Sequence, residues 1–162
     1  MNNYFAYLKL CAYEKNIQTK DLAIYTNRNI GYISRILNYK IYNPDDETLL
    51  AIEERIGLNH EKLIQKQHDF ECLFFDYMNV VYTTRQKESD TLYAKIIHDQ
   101  EVLNTPYEIY VLLTQLVQKT LKGNFDEEFF SADKKLTYIY NGLEDEAKSI
   151  YMIYHFGALV LN

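Results

Sequence analysis

A chain of 162 residues can form one domain or two small ones, and either is long enough to bury a real core. Its 48% hydrophobic and 25% charged content is that of an ordinary soluble globular protein, and no apolar run approaches the roughly 20 residues of a membrane-spanning helix. The formal net charge of −6 excludes a uniformly basic nucleic-acid-binding chain. The N-terminus lacks a basic-then-apolar signal pattern. Cys11 and Cys72 fall at apolar positions of predicted helices and read as reduced packing residues, so the expected setting is cytoplasmic. Two prolines, five glycines and little sustained alternation predict an all-α fold.

Residues 19–38 read as two short helices set at a steep angle and joined by a tight turn. Ala23 is the small residue at their crossing, and Leu22, Ile33 and Ile36 are the apolar pins between them. Asn27 sits where the chain turns sharply, since asparagine best tolerates a left-handed conformation after glycine. Asn29 is placed to cap the second helix.

This pattern resembles the helix-turn-helix of phage-repressor-like (Xre-type) DNA-binding domains, over about residues 4–66. Leu8-Lys9-x-Cys11 looks like the first helix of that family, with Ile17 the last apolar residue before the motif. Tyr32-Ile33-Ser34-Arg35-Ile36 is similar to its recognition helix, and Asn43-Pro44 through Leu58 to its fourth. Thr19, Asn27 and Arg28 depart from the usual glutamine, glycine and apolar residue, and Ala12 and Tyr39 from the frequent arginine and glycine. The resemblance implies a five-helix domain whose DNA contacts come from Thr19, Lys20, Arg28, Asn29, Ile30, Gly31, Ser34, Arg35, Asn38 and Lys40. Arg35 suits a phosphate or a guanine, and Asn38 an adenine edge or phosphate. Ile30 suits a thymine methyl or, equally, packing inside the domain.

The charge divides with the chain. Residues 1–66 hold 9 Lys/Arg against 8 Asp/Glu, whereas residues 67–162 hold 8 against 15. A local basic patch suffices for a phosphate backbone, and an acidic second half should face away from it. Two modules are expected, 1–66 and 67–162. Asn43 as cap, Pro44 at the first helical position and Asp45, Asp46 and Glu47 in the first turn mark a helix start. Gly57 ends that helix, and Asn59 caps a short one after it.

The second half continues as helices. Phe70, Leu73, Phe74, Tyr77 and Val81 form one face, and Ser89 or Asp90 opens a helix bearing Leu92, Ile96 and Ile97. Thr105-Pro106-Tyr107-Glu108 reads as a capping box ahead of a helix that Gly123 stops. A helix beginning within 124–128 carries Phe129, Leu136 and Ile139, and a last one runs from Leu143 to about Leu161. Short turns between helices imply antiparallel hairpins, in a bundle or a short tetratricopeptide-like solenoid, although no repeat recurs at one period.

Catalytic signals are absent from the sequence. His68 and Cys72 are too few for zinc, and there is no glycine-rich phosphate loop or nucleophile elbow, so no cofactor and no metal is expected. The architecture resembles peptide-sensing regulators of the Rgg/PlcR kind, which implies a signalling peptide as effector and a dimer. The helical module spans only about 95 residues, so the chain reads as a truncated or a short, mainly dimerising variant. The final helix is apolar on nearly every side. Ile150, Tyr151, Tyr154, Phe156, Leu159 and Leu161 are therefore the expected contacts of a homodimer on paired half-sites in double-stranded DNA. The alternative is a protein-interaction module whose helix-turn-helix does not read DNA.

Overall fold

A computed structural model describes residues 3–58, 67–102 and 105–161, and all regular structure among them is helical. The first half holds α1 (Tyr4–Glu14), α2 (Thr19–Tyr25), α3 (Ile30–Leu37) and α4 (Asp46–Ile56). The second holds α5 (Gln67–Tyr82), α6 (Gln86–Ile97), α7 (Glu108–Lys122) and α8 (Glu127–Ile139), then a 3-10 turn, Tyr140–Gly142, and α9 (Asp145–Leu161). No helix among the described residues is long and apolar enough to cross a membrane. The expected cap at Asn59 and the expected module boundary at residue 66 lie outside the described residues.

The turn between α2 and α3 forms as its residues dictate. Asn27 adopts φ +51°, and the N–H of Arg28 closes back onto the carbonyl of Ala23 at 3.0 Å. The Asn29 side chain accepts from the N–H of Gly31 at 2.7 Å and so caps α3. Leu22, Ile33 and Ile36 are fully buried at the crossing, with Ala23 beside them. Gly57 takes φ +77° and ends α4.

The start of α4 differs from the expectation. Asp45, not Asn43, is the cap, accepting from the N–H and the hydroxyl of Thr48 at 2.9 and 2.8 Å. A carboxylate that gains those two bonds and the Arg28 guanidinium outcompetes an asparagine that gains neither.

In the second half, sequence neighbours pack together: α5 on α6, α6 on α7, α7 on α8, and α9 returns onto α7. α7 is therefore central, with Ile109, Leu113, Leu116 and Val117 fully buried. Its buried amide Gln118 is satisfied, because Oε1 accepts from Tyr77 and Ser89, each at 3.0 Å, and Nε2 donates to Asp90.

Four local expectations are corrected here. α6 opens at Gln86, and Ser89 is buried inside it rather than opening it. α9 opens at Asp145 rather than Leu143. Cys72 is exposed, unlike Cys11, since it points off the buried face of α5. The Thr105 capping box does not form. The Thr105 hydroxyl accepts the Tyr107 N–H at 3.3 Å, so half of the cap is present, and it donates to the Val102 carbonyl at 2.6 Å, while the Glu108 carboxylate accepts the Tyr7 hydroxyl at 2.8 Å. The reciprocal half is missing because the Thr105 N–H donates to the Val102 carbonyl at 3.2 Å.

The two halves share one continuous hydrophobic core. α1 is the pivot, packing on α3 and α4 and also on α8 and the 3-10 turn. Asn3 donates to the Glu144 carboxylate at 3.1 Å and accepts from the Glu144 N–H at 2.9 Å. Beyond α3, Tyr39 takes φ +61°, an uncommon conformation for a bulky residue. Its ring lies against Gly142, where any Cβ would strike it. Gly142→Ala is accordingly expected to cost about 1–3 kcal/mol by overpacking. In a Tyr39→Gly background, where glycine also suits the backbone, the same change should cost clearly less. Thermal unfolding of the four proteins checks this, and equal costs in both backgrounds would refute the contact.

Candidate nucleic-acid interface

α3 has one buried and one open face. Ile33, Ile36 and Leu37 point inward, while Gly31, Arg35 and Asn38 are exposed. Ile30 is 53% exposed, which removes the packing role the sequence left open for it. Arg35 makes no ion pair among the described residues, and Lys20 and Lys40 stand exposed on either side. Thr19 and Ser34 are half-buried at the edges of this face. The Oδ1 of Asn29 is committed to capping α3.

Two of the sequence-derived contacts are engaged within the chain. Arg28 donates from Nε to Thr48 at 2.8 Å and pairs through Nη2 with Asp45 at 2.9 Å, so it holds the start of α4. Those bonds, first from the N–H and hydroxyl of Thr48 and then from Arg28, hold the Asp45 carboxyl at about 2. Asn38 donates its amide to the Ser34 carbonyl at 2.9 Å and accepts weakly from Lys9 at 3.4 Å.

The second half reaches this surface, which the sequence did not reveal. A groove of about 590 Å³ runs along Thr19, Lys20, Ile30 and Asn38 and is walled by Tyr13 and Tyr138. Those two rings stack at 4.4 Å. A second cleft of about 330 Å³ adjoins it, sharing Lys9 and Asn38 and adding Arg35, Lys40 and Asn141. The Lys9 ammonium sits 5.1 Å from the Tyr39 ring and 5.0 Å from the Tyr138 ring, and burial lowers its pKa. Among the described residues, no carboxylate lines either groove. Lys9 and Tyr13 were open to inspection as an i, i+4 pair on α1. Tyr138 and Asn141 were not, since only the packing of α8 on α1 brings them there.

The six residues expected at a dimer contact separate. Ile150, Tyr151 and Tyr154 are buried in the core of the second half. Tyr151 contacts Thr137 at 2.7 Å and donates to Asp133 at 3.2 Å, and burial pushes its hydroxyl up to about 12. Phe156 and Leu159 are exposed, at 52% and 65%, and Ile153 and Val160 join them. The side chain of Leu161 lies outside the described residues. The correction has a physical reason: a helix apolar all round does not announce which side its neighbours will take.

Among the described residues, no group of three or more His, Cys, Asp or Glu is placed to hold a metal ion. Set against known protein families, curated proteins and solved structures, the chain matches none.

Proposed function

We propose that the chain is a sequence-specific transcriptional regulator that binds double-stranded DNA through an Xre-like helix-turn-helix and works as a cytoplasmic homodimer. The observation that carries this reading is the outward face of α3. There Ile30 and Arg35, the latter with no ion pair among the described residues, project from a capped helix into grooves lined by no described carboxylate, in a chain whose net charge is −6. Residues 1–66 supply the reading surface, and residues 67–162 its support and the association surface. Arg28 serves the scaffold rather than the DNA.

Arg35→Ala is expected to weaken binding to a selected duplex by about 1–3 kcal/mol with an unchanged melting temperature. Fluorescence anisotropy across a salt series is the measurement. Wild-type binding that ignores salt favours the other reading, a protein-contact module, because phosphate neutralisation always releases counterions.

The exposed stripe Ile153, Phe156, Leu159 and Val160 on α9 supports self-association. A dimer would present two recognition helices to half-sites roughly 34 Å apart. Light scattering should give twice the chain mass, and Phe156→Asp should return it to one chain. A monomeric wild type would end this part of the reading.

A further inference from the structure

We propose that the cleft between the end of α3 and the turn Tyr140–Gly142 is a phosphate-binding site built jointly by both halves of the chain. It rests on the DNA-binding reading and extends it to a contact from residues beyond the helix-turn-helix. Three cations converge there, Lys9 from α1, Arg35 from α3 and Lys40 just after it. Ser34, Asn38 and Asn141 add neutral polar groups, and Asn141 comes from the second half. The cleft is about 330 Å³, ample for a phosphate. No carboxylate among the described residues lines it, although the chain carries 23 Asp and Glu against 17 Lys and Arg.

A helix C-terminus attracts cations for reasons of its own, through its free carbonyls and the helix dipole. Three of the last four carbonyls of α3, those of Ser34, Arg35 and Ile36, are already taken. Lys40 N–H donates to the Arg35 carbonyl at 2.8 Å, Tyr39 N–H to Ile36 at 3.0 Å, and the Asn38 amide to Ser34 at 2.9 Å. The three cationic heads are therefore not spent on capping, and none has a carboxylate partner among the described residues. Lys9 is instead fixed between two tyrosine rings. Tyr39 lines the same cleft, 8% exposed, and its hydroxyl has no hydrogen-bond partner among the described residues. An oxyanion takes ammonium, guanidinium and amide donors together, which is the set present.

The phosphate has two possible sources, a phosphodiester of bound duplex or a free phosphate compound. Continuity with the larger groove along Lys20 and Ile30 favours the duplex. The test uses the full chain and a duplex selected by the wild type from a random pool. Asn141→Asp should weaken duplex binding about tenfold at unchanged melting temperature, and Lys9→Met should reduce the slope of log K against log salt by about 0.9. Arg35→Ala is the control for the underlying reading. If Arg35→Ala weakens binding while Asn141→Asp and Lys9→Met match wild type, the joint site is overturned and the reading stands. If no duplex is bound by wild type, the reading fails and inorganic pyrophosphate decides the cleft. Shifts of the Asn141 side-chain amide resonances on titration, lost in Lys9→Met, support a free-phosphate site, and unshifted resonances overturn it.

Discussion

Phe74→Ala is expected to destabilise the whole chain by about 3–5 kcal/mol, the range for truncating a large buried aromatic side chain. Phe74 is fully buried on α5, with its ring 4.7 Å from Tyr110 on α7 and 5.7 Å from Phe75. Removing it deletes apolar contacts and leaves a cavity between α5 and α7 that the fold can close only in part. The consequence should not stop at α7. Tyr110 donates its hydroxyl to Glu144, and Glu144 holds Asn3 at the head of α1. Since α1 also packs on α3 and α4 within one continuous core, the first half should lose stability with the second. Hydrogen exchange under denaturant checks this, following amides of α3 and α7 in the same sample. Both sets should lose the same protection. Loss confined to α5–α9 would show two energetically separate units.

What could be read from the sequence was largely what depends on local backbone. Asn27, Gly57 and Gly123 take left-handed conformations that few residues accept, so their positions marked turns before any packing was known. The Asn29 cap was legible for the same reason. Where a distant side chain competes for a local partner, the reading failed. Glu108 holds the Tyr7 hydroxyl while the Thr105 N–H goes to Val102, and Asn43 lost its role to an Asp45 that Arg28 and Thr48 stabilise. The candidate site shows the same division. Ile30 and Arg35 follow from helix periodicity, but the walls given by Lys9, Tyr138 and Asn141 exist only because α8 packs on α1. Tyr151 was placed outward, and Ile150 and Tyr154 with it at a dimer contact, because an apolar helix carries no mark of its buried side, and the structure turns all three in.

Leu22→Ala should cost about 2–5 kcal/mol and separate stability from recognition. α2 is only seven residues long, too short to persist without tertiary support. Its support comes from packing on α3 and α4, and Leu22 is the fully buried residue through which it is anchored. The Leu22 carbonyl also receives the Thr26 hydroxyl at 2.8 Å, so loosening this residue loosens the end of α2 and the turn that aims α3. None of the exposed groups is altered: Lys20, Ile30 and Arg35 keep their side chains. The folded fraction should therefore fall while the folded molecules bind duplex as before. Melting should show the lost stability directly. Duplex affinity measured in a stabilising osmolyte, where the variant is refolded, should return to the wild-type value. Under those same conditions Arg35→Ala should remain weak. If osmolyte leaves Leu22→Ala as weak as Arg35→Ala, the crossing of α2 and α3 sets recognition directly, and scaffold and reading face are not separate.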